Sequence, residues 1–137
     1  MPARLVRSNS LYTGAPYAYA AVAPPGSLIF TAGACPIDEN GTVTAMGDYV
    51  RQASVAMANL ITALAAAGAS LSDVLKSTVY VASSDVRDLH AVWDVVHSAF
   101  GAHDAPSTLL GVTVLGYTGQ LVEIEAIALA GQPAAAG

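Results

Sequence analysis

Two carboxylates spaced two residues apart in an otherwise apolar segment are the first chemistry this sequence offers. The run Leu121-Val122-Glu123-Ile124-Glu125-Ala126-Ile127-Ala128-Leu129 reads as a strand, and its period of two puts Glu123 and Glu125 on one face and Val122, Ile124 and Ala126 on the other. Neighbouring carboxylates push their pKa values apart, so such a pair can act as acid and base. A solvated strand face, or a polar pair at a subunit axis, is the alternative use of the same pattern. Cys35 is the single cysteine; no histidine lies near it in sequence to generate a thiolate, so it reads as a buried, inert thiol. His90 and His97 fall on one predicted helix about 10 Å apart by helix rise, too far to share a metal. With His103 they read as surface or interface residues. No phosphate loop, nucleophile elbow or dinucleotide fingerprint is present.

These groups need elements to hold them. Val50, Ala53, Met57, Leu60, Ile61 and Leu64 recur at intervals of three and four, predicting a helix capped by Asp48 and stopped by Gly68. Leu89, Val92, Trp93, Val96 and Phe100 predict a second helix from Asp85 to Gly101, with Trp93 inside its apolar arc. Strands are expected at Leu5-Val6, Tyr17–Val22, Leu28–Ala32, Val74–Val81, Ser107–Leu115 and Leu121–Leu129. Pro24-Pro25-Gly26 reads as the bend of a hairpin-like opening, Asp38-Glu39-Asn40-Gly41 as a tight turn, and Gly116–Gly119 as the turn joining the last two strands. The arrangement that buries both helical stripes is an α+β fold: one sheet with two helices packed on one face. The other sheet face then needs a cover, which oligomerisation supplies.

At 137 residues, with 54% hydrophobic and only 11% charged residues, the chain reads as a single domain over 1–137 with a frayed tail at 131–137. A mean hydropathy of +0.52 is high for a small monomer and points to subunit contacts. Five Lys and Arg against ten Asp and Glu, a formal net charge of -5, provide no basic stripe, so nucleic acid is not an expected partner. No apolar run is long enough to span a bilayer, and no signal-peptide pattern follows the first residues; a cytoplasmic protein without membrane association is expected.

Several phrases, taken in order, resemble the reactive intermediate deaminase family, also called the Rid or YjgF family. They are Ala15-Pro16-Tyr17, Ile29-Phe30-Thr31-Ala32-Gly33 followed by Pro36, Ala67-Gly68-Ala69-Ser70-Leu71-Ser72-Asp73-Val74, Lys76-Ser77-Thr78-Val79-Tyr80, and Leu121–Ala128. The resemblance spans about Ala15 to Ala128. It implies a chorismate-mutase-like mixed sheet, a homotrimer with ligand clefts between subunits, and hydrolysis of 2-imino or enamine acids to 2-keto acids and ammonia. It also implies that no metal and no cofactor take part.

Carried over residue by residue, the resemblance makes Glu123 the carboxylate that orients or activates water and Tyr17 the cleft phenol. Gly33 and Ala34 become the segment that presents backbone N–H groups to the ligand. The family's arginine, which holds the substrate carboxylate, falls here on Pro106 or Ser107. All four arginines lie elsewhere, at Arg4, Arg7, Arg51 and Arg87. Trp93 stands where the family often has asparagine and would enlarge an apolar cleft wall; Ala32 replaces a common serine. Ser107 and Thr108, beside the missing arginine, are candidates to hydrogen-bond a neutral ligand. The expected protein is therefore a Rid-like small-molecule protein processing an imine or carbonyl compound without the standard anchor. A deaminase with a relocated anchor and a non-catalytic binding or regulatory trimer are the alternatives. The acidic balance weakens the endoribonuclease label the family sometimes carries.

Overall fold

The computed structural model describes residues 3–130; the expected frayed tail at 131–137 lies outside them. The elements are β1 (Arg4–Val6), β2 (Ala20–Val22), β3 (Leu28–Phe30), α1 (Tyr49–Ala66), β4 (Val74–Val81), α2 (Val86–Phe100), β5 (Ser107–Gly111) and β6 (Val122–Leu129), with a single 3₁₀ turn at Leu71–Asp73 before β4. Both helices start where their caps predict. An Asp48 carboxylate oxygen accepts the Arg51 N–H at 3.0 Å, and Asp85 accepts the Arg87 N–H at 2.9 Å, each satisfying a backbone donor that has no partner in the first turn. Gly68, just past the first helix, has φ 86°, a left-handed conformation that costs glycine least.

The main sheet has the order β3-β6-β4-β5. β4 and β5 run parallel, with α2 as the crossover between them; the other two pairings are antiparallel. Along β6, Val122, Ile124, Ala126 and Ala128 are buried and Glu123, Glu125 and Ile127 are half-buried. On β4, Val79 and Val81 are buried, and Lys76, Thr78 and Tyr80 look the other way. The buried set meets Ala53, Ala56, Met57, Leu60 and Leu64 of α1 and Val92 and Val96 of α2 in one core. Two helices on one face of a mixed sheet, the α+β arrangement expected, follow from that alternation. The opposite face carries Phe30 at 70% exposure.

Four expectations need correction. β1 and β2 form a separate two-stranded sheet, and β2 does not pair with β3. The Tyr17–Tyr19 stretch is no strand because its donors go elsewhere: the Ala18 N–H to Asp104 O at 2.7 Å and the Tyr19 N–H to Val6 O at 2.9 Å. β5 and β6 are not a hairpin either, since β4 lies between them; β5 took the parallel edge of β4 and left the antiparallel edge to β6. Finally, Val50 and Ile61 sit on the rim of the α1 stripe and are 46% and 42% exposed, while Gln52 is buried instead.

The different depths of Leu60 and Ile61 are directly measurable. Leu60→Ala should cost about 2–5 kcal/mol of unfolding free energy, whereas the rim substitution Ile61→Ala should cost under about 1 kcal/mol. Chemical denaturation that found equal losses would contradict this placement of α1.

Candidate functional site

The segment after β3 continues beside β6 but slips by one residue. Thr31 pairs with Ala126, exchanging N–H for carbonyl at 3.0 Å and accepting the Ala126 N–H on its side-chain oxygen at 2.9 Å. Ala34 pairs next with Ile124, so three residues on one side span two on the other. This is a β-bulge at Ala32-Gly33, a device that re-aims side chains near functional sites. Beyond it, Cys35 comes to lie against Glu123.

The Glu123 carboxylate is gripped at one oxygen. Its Oε1 accepts the Cys35 thiol at 3.1 Å and the Gln120 Nε2–H at 3.1 Å. The carboxylate also lies over Gly33, where a Cβ would overlap it, so any other residue there would push the Glu123 side chain out of this position. Gly33 and Cys35 line an open hollow of about 550 Å³ together with Ile37, Asp38, Glu39, Asn59 and Tyr117. Asn59 reaches from α1 to donate to Cys35 O at 2.8 Å and Ile37 O at 3.0 Å, tying this wall to the helix layer. Burial, and then the Glu123 carboxylate, push the Cys35 thiol up to about 11, so at neutral pH it is a protonated donor. Of the two expected amides, the Ala34 N–H is spent on Ile124 O at 2.7 Å. Among the described residues the Gly33 N–H has no acceptor.

Glu125 belongs to a different hollow. Its Oε1 accepts the Tyr80 hydroxyl at 2.5 Å, and this bond, more than burial, holds the phenol above its ordinary pKa. Phe30, Thr31, Lys76 and Thr78 complete a space of about 190 Å³ on the uncovered sheet face. Glu123 and Glu125 share a face, as their period predicts, but each has its own hydrogen-bond donors.

Tyr17, Trp93, Ser107, Pro16 and Leu109 line a third hollow of about 310 Å³. The Tyr17 and Trp93 rings meet edge to face at 6.5 Å, and Trp93 stacks on His97 at 5.9 Å. Ser107 bonds Ser77 at 2.7 Å on the helix-facing side of β5, whereas Thr108 accepts the Lys76 ammonium at 2.6 Å on the opposite side. The neighbouring pair Ser107 and Thr108 is thus divided between two faces, as strand geometry demands. The Pro106 carbonyl accepts the Ser77 N–H. Arg7 reaches the Tyr17 segment, but its guanidinium donates to Ala15 O, Tyr17 O and, at 2.6 Å, to Asp104.

Within one protomer, therefore, Gly33 and Cys35, with Glu123 bonded to the thiol, stand at one hollow and Tyr17, Trp93 and Ser107 at another, with no lining residue in common. Sequence reasoning missed Gln120, Gln52, Asn59 and the Cys35–Glu123 bond. Polar glutamines in otherwise apolar surroundings were the available signal for the first two. Among the described residues no three of His, Cys, Asp or Glu are placed to hold a metal ion.

An α+β domain with this sheet order and a carboxylate at its bulged edge defines the class, and the comparisons specify the family. Residues 7–130 match the family described as Endoribonuclease L-PSP. A RutC family protein of Pyrococcus horikoshii is 36% identical over 113 residues, 82% of this chain and 86% of its own. TdcF of Escherichia coli K12, provisionally named a reactive intermediate deaminase, is 32% identical over 81 residues, 58% of this chain and 60% of its own. The crystal structure of YyfB from Yersinia pestis, a Rid family protein, superposes with a TM-score of 0.88 at 28% identity, covering 94% of this chain and 99% of that one. Escherichia coli TdcF with bound serine superposes with a TM-score of 0.65 at 29% identity, covering 92% and 98%. The chain belongs to the Rid (YjgF, L-PSP) family.

The thiol provides a check on this geometry. Raised from 9.0 to about 11 in the folded protein, it contributes stability that is whole below the unfolded value and is lost as pH rises through the folded one. Alkylation of Cys35 should therefore have its half-maximal rate near pH 11. The fall in stability across that range should be smaller in Cys35→Ser, a comparison that cancels the alkaline loss from Tyr80. A half-maximal rate at or below pH 9.0 would contradict both the burial of the thiol and its bond to Glu123.

Proposed function

We propose that this protein is a homotrimeric, cytoplasmic Rid-type hydrolase. Its intersubunit clefts take a small neutral imine or carbonyl compound, and Glu123 directs the attacking water. The observation that carries the reading is the Glu123 carboxylate held at Oε1 by two donors, behind the Gly33 and Cys35 that line an open hollow. Oε2, packed over Gly33, has no hydrogen-bond donor among the described residues and is the oxygen that receives a proton. In this reaction water adds through oxygen to the imine carbon while Glu123 accepts its proton and passes one to nitrogen. The resulting carbinolamine expels ammonia and leaves the carbonyl. Water is the only co-reactant, so the balance requires neither metal nor cofactor.

A cleft between protomers joins what one protomer keeps apart. The Tyr17, Trp93 and Ser107 hollow of one copy would face the Gly33 and Glu123 hollow of the next, and the sheet face bearing Phe30 would be covered by neighbouring copies. The neutral ligand is argued from charge. Arg7 is already committed to Asp104, which weighs against a relocated anchor, and Asp38 and Glu39 line the same hollow as Cys35. A carboxylate, or a polyanion such as RNA, would meet negative charge there without a guanidinium to balance it.

Ammonia release from generated imines should exceed the spontaneous rate and fall about 10²-fold or more in Glu123→Gln, as for removal of a general base. Selective binding with no turnover would instead make the protein a binding or regulatory trimer. In calorimetry the unmodified protein should prefer pyruvamide to pyruvate, and Ser107→Arg, or Pro106→Arg, should raise affinity for the acid; a native preference for the acid overturns the neutral-ligand reading. Light scattering should report a trimer at micromolar concentration, and a stable monomer would remove the intersubunit cleft.

A further inference from the structure

Two buried glutamines converge on the chain that leads into β6, and neither lines the hollow it serves. Gln52, in α1 and 0% exposed, accepts the Leu121 N–H at 2.7 Å and donates to Gly119 O at 3.0 Å and Ala45 O at 3.4 Å. Gln120, 4% exposed, accepts the Tyr117 N–H at 3.1 Å and donates to Val122 O at 3.0 Å and to Glu123 Oε1. Each amide is used at both ends, and a flip of either would set carbonyl against carbonyl, so the network admits one orientation.

We infer that Gln52 and Gln120 are positioning residues for Glu123: Gln52 fixes the 119–121 backbone from the helix layer, and Gln120 passes that fixity to Oε1, leaving Oε2 to meet water. The inference rests on the reading of Glu123 as the water-directing group. A clamp serving the loop alone would need only the bonds to Tyr117 N and Val122 O; Gln120 also reaches the carboxylate. With the Cys35 thiol on the same oxygen, both lone pairs of Oε1 are occupied. Side chains held this way from rigid elements are kept within the tolerance that proton transfer demands.

The test is a double-mutant cycle read on the Cys35 thiol, whose surroundings include Glu123 and Gln120 and, along the same hollow, Asp38, Glu39 and Tyr117. The measured quantity is the pH midpoint of Cys35 alkylation by iodoacetamide. Glu123→Gln should lower that midpoint in the otherwise native protein. In the Gln120→Met background, and in Gln52→Met, the same change should lower it by less than half as much, because the carboxylate is no longer held against the thiol. Gln120→Asn, which withdraws the amide by one methylene, is the milder variant should either methionine protein fail to fold. In turnover, Gln120→Met should reduce kcat about tenfold or more with little change in KM, and should have no further effect once Glu123 is Gln. A midpoint drop of equal size in every background overturns the inference. A cycle with the expected coupling in a protein that shows no hydrolysis upholds the positioning and removes the hydrolytic reading.

Discussion

β6 is hydrogen-bonded on both edges, to β4 through the register from Val74↔Ala128 to Val81↔Val122 and to β3 through Leu28↔Leu129 to Phe30↔Ile127. Every alternate residue of that central strand lies beneath the two helices. Slipping it by one position would drive Glu123 and Glu125 into a core of valine, leucine and alanine, and the cost of burying unpaired charge forbids it. The register thus determines which side of the sheet carries the carboxylates. It also determines that Lys76, Thr78 and Tyr80 of β4 share their side.

The bulge at Ala32-Gly33 depends on that register too. Thr31 continues the ladder with its backbone N–H and its side-chain oxygen, the chain departs at Ala32-Gly33, and Ala34 rejoins the ladder at Ile124. The extra residue brings Cys35 to the Glu123 carboxylate and places glycine where a side chain would displace that carboxylate. Interior contacts from α1 complete the arrangement: Asn59 secures the Cys35 side and Gln52 the loop before β6. One helix therefore braces both walls around a single carboxylate.

The placement of charge bears on what the hollows of this protein can hold. In a partly dry cleft, a guanidinium paired in two places with a carboxylate supplies affinity and orientation that a serine hydroxyl does not. Under the proposed function Pro106 or Ser107 stands in that slot, and Arg7 is engaged by Asp104 and two backbone carbonyls. Tyr17 and Trp93 put aromatic surface into the hollow that Ser107 also lines. On that reading, recognition rests on apolar contact and neutral hydrogen bonds and not on an ion pair.

Both helices, their aspartate caps, the β4 and β6 strands and the shared face of Glu123 and Glu125 were legible in the sequence, because they arise from periods of 3.6 and 2 and from contacts a few residues apart. The same period of two also separates Ser107 from Thr108, a consequence of strand geometry that grouping them as one site overlooked. Strand partners were a different matter. Nothing local tells β2 to choose β1 or places β4 between β5 and β6; those choices are made by competition among whole strands for burial and for hydrogen-bonding edges. The Cys35 thiol, read as inert for want of a nearby histidine, acquires its donor role from a carboxylate 88 residues further along the chain. Gln52 likewise meets Leu121 only because α1 packs beside β6. Side-chain chemistry was written in the sequence; which groups polarise, hold or exclude one another was decided by tertiary packing, since those interactions act over a few ångströms of space and not over neighbouring positions in the chain.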